Sequence, residues 1–271
     1  MKKTLAAVAV LGAFAGSAIA ADVTLYGVVD AGLQYNHIDM DSNTLEDIDS
    51  VSMESGQQSG SRWGLKGTED LGNGLTVGFV LENGFTFDDG KDGGDAMFDR
   101  ESMLFVEGGF GKLAFGRIGT FNQGQGSFSL IGGLTPFGTS WGYAVQAGTA
   151  FMTGTCYDNS IVYRTPSFAG FQVTAMYSMG GNDDENESST DRYYGIAASY
   201  NNGPLFGYLA VDSINYKTWY SDHPEDYSTG TGTAADPIVW HKATSAYAHD
   251  LDDSLTVTLG GSYDFEVAKV Y

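Results

Sequence analysis

Residues 75–87 read LTVGFVLENGFTF and alternate in polarity along their length. Large apolar residues occupy six of the seven alternate positions, namely Leu75, Val77, Phe79, Leu81, Phe85 and Phe87. Because successive side chains of a strand point to opposite faces of its sheet, this pattern predicts a strand with one apolar face. Residues 171–178 and 255–263 repeat the pattern, which is typical both of a soluble β-sandwich and of a membrane barrel.

The connections between strands distinguish these two folds. We predict ten strands and the start of an eleventh, at residues 23–36, 59–69, 74–87, 97–107, 111–118, 157–165, 170–179, 192–201, 204–216, 254–263 and 267–271. The connections alternate between short turns and long loops, and the long loops hold most of the acids. Short turns at one end and long polar loops at the other are typical of an outer-membrane barrel. The sequence therefore predicts an all-β, antiparallel, up-and-down transmembrane β-barrel.

The N-terminal residues 1–20, MKKTLAAVAVLGAFAGSAIA, have the features of a secretory signal peptide. Lys2 and Lys3 precede an apolar stretch, and small residues stand at Ala18 and Ala20. The alternative, a membrane anchor, needs about 20 apolar residues. We therefore expect an exported protein whose mature barrel domain covers residues 21–271.

The composition is strongly acidic, with 34 Asp and Glu against 13 Lys and Arg and a net charge of -21. Such a charge argues against nucleic acid as a partner. The single cysteine, Cys156, cannot form an internal disulfide. The four histidines match no metal spacing and form no catalytic constellation with a nucleophile, so we do not expect an enzyme.

Residues 118–157 contain no Lys, Arg, Asp, Glu or His. The segment is rich in glycine, aromatic and small polar residues, and it shows neither a helical period nor strict alternation. A loop of this length inside a compact domain is usually functional or disordered, and its aromatic residues argue against disorder. We therefore expect the rest of the protein to shelter it.

Several stretches resemble the general diffusion porins of Gram-negative outer membranes. They are LYGVVDAGLQY (25–35), SRWGLKGTEDLGNGLTVGFVLE (61–82), FDRESMLFVEGGFGKLAFGR (98–117) and DNSIVYRTPSFAGF (158–171), followed by SYNNGPL and GGSYDFEVAKVY. The resemblance implies a homotrimer of 16-stranded barrels, of which this chain would hold ten or eleven strands. A C-terminally truncated chain and a smaller barrel are the two explanations of that difference. The third extracellular loop of such porins folds into the barrel and narrows the pore, and residues 118–157 hold its position.

Alternation also predicts which side chains face the lumen. Arg62 and Lys66 share one face of the second strand. On the fourth strand Arg100 falls with Ser102 and Leu104, which leaves Glu101 on the apolar face. The predicted pore-lining residues are Asp30, Arg62, Lys66, Glu82, Arg100, Arg117 and Cys156, with Phe137, Trp141 and Tyr143 on the constricting loop. The arginines could instead be ordinary strand cations paired with nearby carboxylates.

The resemblance also bears on ion selectivity. Porins of this type carry a basic cluster on the barrel wall opposite acids on the constricting loop. Arg62 and Arg100 match two positions of that cluster, whereas Cys156 stands at the third and the loop has no acid. We therefore expect a weaker basic wall and a preference for cations, which the acidic loops concentrate at the mouth.

The expected function is passive diffusion of ions and small hydrophilic solutes through a water-filled channel in the outer membrane. The alternative is a structural or adhesive barrel that acts through its acidic extracellular loops. We expect no cofactor, although these loops could bind Ca²⁺ or Mg²⁺ weakly and so bridge to lipopolysaccharide and outer-membrane lipids.

Overall fold

The computed structural model describes residues 22–40, 47–94, 96–124, 126–134, 155–180, 192–215 and 253–270, with four short strands between residues 219 and 249. Most of these residues lie in antiparallel strands or in the turns that join them. One 3-10 turn, Ile131–Leu134, is the only helical element in this part of the chain. None of the described residues forms a helix long and apolar enough to cross a membrane.

One sheet of eleven antiparallel strands dominates the fold. Its strands, in spatial order, are β1 (Asp22–Val28), β4 (Arg62–Gly72), β5 (Leu75–Gly84), β6 (Glu101–Gly108), β7 (Gly111–Gly119), β8 (Cys156–Arg164), β9 (Phe171–Ser178), β10 (Arg192–Asn202), β11 (Leu205–Asn215), β16 (Ser254–Asp264) and β17 (Lys269–Val270). Apart from two inserted groups, each strand pairs with its neighbours in sequence. This antiparallel, up-and-down order confirms the predicted fold class.

Two groups of strands are inserted into connections of the sheet. Between β1 and β4, strands β2 (Ala31–Ile38) and β3 (Ile48–Ser55) form a hairpin. Between β11 and β16, the structure has four short strands: β12 (Trp219–Ser221), β13 (Tyr227–Thr229), β14 (Val239–His241) and β15 (Tyr247–His249). β12 pairs with β15, and β13 pairs with β14.

These insertions correct three predictions. Residues 23–36 form parts of two strands rather than one, and β3 occupies residues predicted as an acidic loop. The prediction of residues 237–250 as loop is also wrong, because β14 and β15 lie there. The other predicted strands coincide with strands of the large sheet and differ at their ends by a few residues.

Acidic residues do not prevent pairing in β3 because one of them has partners on the neighbouring strand. The Tyr35 hydroxyl donates a hydrogen bond to Asp49 Oδ1 at 2.6 Å, and His37 Nδ1 lies 2.9 Å from the same oxygen. An acid with cross-strand partners is compatible with a strand. Acid content alone was therefore an unreliable sign of a loop.

The β4–β5 connection is a tight turn. Asn73 and Gly74 both have positive φ, 55° and 73°, as the two central residues of a type I′ hairpin turn require. The pair fits because asparagine tolerates this conformation and glycine adopts it freely. β4 runs on to Gly72, so the turn lies later than the predicted 70–73.

The two faces of the sheet differ. Large apolar side chains are exposed on the outer face, among them Leu25, Leu104, Phe171, Ile196, Leu209 and Leu259. The inner face is covered in part by residues 120–124 and 126–134, which we call the inner segment. Phe121, Phe128 and Ile131 of this segment are buried against inward side chains such as Met103 and Val162. The core therefore lies between one sheet and a loop rather than between the two sheets of a sandwich.

Candidate functional site

Glu82 lies at the centre of a charged cluster on the inner face. Its carboxylate accepts hydrogen bonds from Arg100 Nε at 2.7 Å and from the Tyr26 hydroxyl at 2.9 Å. Arg62 Nε lies 3.6 Å from the same carboxylate. The three charged side chains expose only 12% to 22% of their surface. These ion pairs are therefore screened less than pairs on an open surface.

The sheet register brings this cluster together. Gly64 on β4 pairs with Tyr26 on β1 and with Glu82 on β5. A Cβ atom at Gly64 would lie 2.7 Å from the Tyr26 ring. Because glycine leaves this space open, the Tyr26 side chain reaches across β4 to Glu82. Lys66, two residues along β4, places its Nζ 5.3 Å from the Tyr26 ring centroid.

The faces predicted for the fourth strand from Glu101 onward are wrong, although Arg100 does line the constriction cavity as predicted. β6 begins at Glu101, so Arg100 precedes the strand and reaches Glu82 from outside it. Met103 and Phe105 belong to the core beneath the inner segment, whereas Leu104 is exposed on the outer face. Met103 and Phe105 can lie on the inner face because the inner segment covers them there. Alternation alone predicted that they face lipid.

Glu101 and Arg164 hold the middle of the inner segment. Ser127 donates to the Glu101 carboxylate from its hydroxyl at 2.7 Å and from its backbone N–H at 3.3 Å. Arg164 donates to the Ser127 carbonyl at 3.3 Å, and its guanidinium lies 4.5 Å from the Phe128 ring centroid. Strands β6 and β8 thus hold two adjacent loop residues from two sides.

Asn122 attaches the start of the inner segment to β11. Its Nδ2 donates to Asp212 Oδ2 at 2.9 Å, and its Oδ1 accepts a hydrogen bond from the Tyr208 hydroxyl at 3.2 Å. All three side chains are buried. A buried carboxylate needs such partners, because an unpaired one loses its hydration without compensation.

The far end of the inner segment packs on strands β11 and β16. A Cβ atom at Gly260 would overlap the Leu134 side chain, with only 2.1 Å between it and Cδ1. A Cβ atom at Gly133 would lie 3.4 Å from the Phe206 ring. The absence of a side chain on Gly260 therefore makes the space that Leu134 fills.

A cavity of about 590 Å³ separates the charged wall from the inner segment, and we call it the constriction cavity. Its charged lining residues are Arg62, Lys66, Arg100, Glu82 and Glu101. The inner segment contributes only Gly and Ser side chains, at Gly124, Gly126, Ser127, Ser129, Gly132 and Gly133. The described lining therefore has three bases and two acids, all of them on the wall.

A second cavity of about 550 Å³ lies beside the first, and Arg100 lines both. Arg117 lines the second cavity and donates to Asp158 at 2.7 Å and to the Asp99 carbonyl at 2.7 Å. Cys156 also lines it, and its thiol lies 2.9 Å from the Arg100 carbonyl. Both arginines that line this cavity, Arg100 and Arg117, therefore donate hydrogen bonds to oxygen atoms of the wall.

The structure places the predicted site residues in three groups. Arg62, Lys66, Glu82 and Arg100 line the constriction cavity, and Arg117 and Cys156 line the second cavity. Asp30 lines neither of these two cavities; it caps the turn after β3, where its carboxylate accepts hydrogen bonds from the N–H groups of Gln58 and Ser59. Phe137, Trp141 and Tyr143 lie outside the described residues, as does the predicted signal peptide.

Three important residues were missed by the sequence interpretation. Tyr26 and Asp212 received no pore role, and Glu101 was placed on the wrong face. Their partners are distant in sequence, so no local pattern identifies them. Alternation within β11 does place Asp212 on the same face as Tyr208 and Ala210, and that signal was available.

Substitution Asn122→Ala tests the attachment of the inner segment to β11. It leaves the buried Asp212 carboxylate without this donor, so we expect the free energy of unfolding to fall by about 1–3 kcal/mol in urea titrations in detergent. The control is Asn202→Ala, which removes an exposed hydrogen bond to the Tyr200 hydroxyl and should cost less than about 0.5 kcal/mol. Equal losses in the two variants would contradict the assignment.

Comparison with known proteins agrees with this geometry. The family model described as Gram-negative porin matches residues 6–271. An outer membrane porin of Bordetella pertussis is 35% identical over 100% of this chain and 68% of its own length. Outer membrane porin protein 32 of Delftia acidovorans is 33% identical, again over 100% of this chain and 68% of its own length.

A solved structure shows the same fold. An anion-selective porin from Comamonas acidovorans superposes with a TM-score of 0.57 at 25% identity, over 92% of this chain and 66% of that one. The chain thus spans about two thirds of the length of the relatives that it matches. The eleven-stranded sheet and the family match confirm the resemblance drawn from the sequence. The chain belongs to the Gram-negative porins, the β-barrel proteins of the outer membrane.

Proposed function

We propose that this protein forms a water-filled channel through which ions and small hydrophilic solutes diffuse passively across the outer membrane. The constriction cavity is the observation that carries the proposal. It places Arg62, Lys66 and Arg100 beside open space on the inner side of a sheet whose outer side is apolar. Apolar side chains toward lipid and charged ones toward the lumen are the arrangement that a water-filled barrel needs.

The inner segment supports a role for residues 118–157 as the constricting loop. Residues 120–124 and 126–134 lie on the inner face, where Ser127 donates to Glu101, Asn122 donates to Asp212, and Arg164 donates to the Ser127 carbonyl. Their glycines and serines form the edge of the cavity opposite the charged wall. That such a loop narrows the pore by shape and amide dipoles, without acids of its own, stays a prediction for residues 135–154.

Conductance in planar lipid bilayers tests the channel. We expect stepwise current increments when the protein is added, and a reversal potential in a KCl gradient that shows a preference for cations. Two features support a preference for cations. The acidic loops attract cations to the mouth, and the negative charge of Glu82 offsets the positive charges of Arg62 and Arg100. The relative from Comamonas is described as anion-selective. Clear anion selectivity in this protein would therefore contradict our prediction. It would mean that this protein shares the selectivity of that relative.

Substitution Glu82→Gln tests the constriction cavity as the selective zone. It keeps the shape of the side chain but frees Arg62 and Arg100 from their shared acid, so we expect permeability to shift toward anions by roughly twofold or more. The matched control is Glu107→Gln, which removes one inward acid that pairs with Lys112 outside the cavity. Equal shifts in the two variants would show that the cavity is not the selective zone.

An adhesive or structural barrel remains the alternative function. It predicts no conductance and a lumen filled by large apolar side chains. Apart from Tyr26 and Val80, the described residues that line the cavity are charged or small, which favours the channel. Wild-type protein that inserts into bilayers without conducting would favour the alternative.

We also propose a homotrimer in contact with lipopolysaccharide and outer-membrane lipids, with weak Ca²⁺ or Mg²⁺ bridges at the acidic loops. The described residues give the proposed cation bridges little support. They contain no group of three or more His, Cys, Asp or Glu able to hold a metal ion. Hydrogen bonds from Lys91 and from Thr86 lower the pKa of Asp89 to about 2, so this carboxylate is ionised but already paired.

Removal of divalent cations tests these bridges. If they stabilise the assembly, a chelator should lower the temperature at which the oligomer dissociates in outer-membrane extracts. Added Mg²⁺ should restore that temperature, because hard cations prefer carboxylate and phosphate oxygens. An unchanged dissociation temperature would argue against cation bridging.

A further inference from the structure

The second cavity differs from the constriction cavity in the balance of its charges. Its charged lining residues are Asp99, Arg100, Arg117 and Asp158, which are two acids and two bases. The other described residues that line it are small or uncharged. The constriction cavity, by contrast, is lined by three bases and two acids. A solute in the second cavity therefore meets full charges of both signs but no net charge.

A β-bulge brings Arg117 and Asp158 together. The register of β7 and β8 shifts between Gly116 and Ile118. Two residues of β8, Asp158 and Asn159, therefore lie opposite the single residue Arg117. Asn159 has a φ of 51°, in the left-handed region that asparagine tolerates. Arg117 Nη1 donates to Asp158 Oδ1 at 2.7 Å. Bulges often re-aim a side chain next to a functional site, and this one aims a carboxylate into the cavity.

Contacts outside the cavity hold its charged groups in place. Arg117 Nε donates to the Asp99 carbonyl at 2.7 Å, and Asp99 Oδ1 accepts a hydrogen bond from the Gly84 N–H at 2.7 Å. The Ser178 hydroxyl donates to the Asp158 carbonyl at 2.6 Å, which fixes the backbone of the bulge. Groups that are positioned before a solute arrives lose less entropy when they bind it.

The same groups keep hydrogen-bonding capacity for a solute. Among the contacts of the described residues, Arg100 donates to Glu82 through Nε, and Arg117 donates through Nε and Nη1. Asp158 accepts from Arg117 with Oδ1, and 51% of its side chain is exposed. The remaining guanidinium N–H groups and the second oxygen of Asp158 are therefore available to a ligand in the cavity.

The ligand that matches this lining carries a carboxylate and an ammonium group. A guanidinium binds a carboxylate through paired N–H donors, and a carboxylate accepts hydrogen bonds from an ammonium group. In an α-amino acid the two charged groups are bonded to the same carbon atom. They can therefore reach neighbouring charges of opposite sign, such as those of Arg117 and Asp158. A simple anion or cation meets one repelling charge in the cavity for each attracting one.

We propose that the second cavity binds α-amino acids in their zwitterionic form before they enter the constriction cavity. Arg100 and Arg117 bind the carboxylate of the solute, and Asp99 and Asp158 bind its ammonium group. The cavity lies where β7 ends and β8 begins, at the loop end of the sheet, so a solute from the mouth reaches it first. The inference rests on the proposed channel and adds a class of solute to it.

Cys156 gives a direct readout of occupancy, because it lines the second cavity and is the only cysteine of the chain. Methyl methanethiosulfonate, a small uncharged reagent, labels its thiol, and mass spectrometry of the full chain in detergent gives the labelling rate. We expect the amino acid L-alanine to slow labelling about tenfold at about ten times its dissociation constant. Three solutes of similar size should protect the thiol much less: lactate, an anion; alaninamide, a cation; and lactamide, which is uncharged.

Two substitutions change the charge balance of the cavity in opposite directions. Asp158→Asn leaves an excess of bases, so lactate should then protect Cys156 as well as alanine does. Arg117→Gln leaves an excess of acids, so alaninamide should protect it instead. The matched control is Lys112→Gln, which breaks an ion pair with Glu107 outside both cavities. It should leave the order of the four solutes unchanged.

Protection of the wild type by lactate, alaninamide or lactamide to the same extent as by alanine would overturn the proposal. The absence of protection by any solute would overturn it as well, as would a changed order of solutes in Lys112→Gln. Conductance is recorded on the same samples. Protection by alanine without conductance would count against the channel alone, and conductance without protection would count against this inference alone.

Discussion

Each buried carboxylate on the inner face of this sheet must find its partner inside the lumen, because the outer face of the same strands is apolar. Glu82 meets this constraint with two arginines and a tyrosine of the wall. Glu101 and Asp212 meet it with polar groups of the inner segment. The carboxylates of the wall thus have two roles. Glu82 offsets the positive charge of the basic cluster, and Glu101 and Asp212 hold the inner segment in place.

Packing of the inner segment depends on small residues in the wall. Phe121 lies over Gly195, where a Cβ atom would come within 2.7 Å of its ring, and Leu134 lies over Gly260 in the same way. Large loop side chains therefore fit where the strands have no side chain. At these two places the complementarity gives the loop dispersion contacts as well as hydrogen bonds. A polar, glycine-rich loop is ordered here because the wall is shaped to receive it.

The sequence predicted the strands better than it predicted the site. Alternation and turn residues are local signals, so the strand order of the large sheet followed from them, and the Asn73–Gly74 turn lay within a few residues of its predicted place. The errors occurred where a distant partner overrides the local pattern. Glu101 points inward because Ser127 binds it, and β3 forms despite its acids because Tyr35 binds Asp49. Neither contact is visible in the sequence of one strand.

The acidic loops and the constriction cavity act on a permeating ion in succession. At physiological ionic strength the Debye length is about 8 Å, so loop acids enrich cations at the mouth but have little effect deeper in the pore. The cavity is lined by three bases and two acids, so its charges nearly balance and repel a cation only weakly. The mouth then determines the sign of selectivity. Glu82 has a large influence because its loss would leave three bases, Arg62, Lys66 and Arg100, against Glu101 alone.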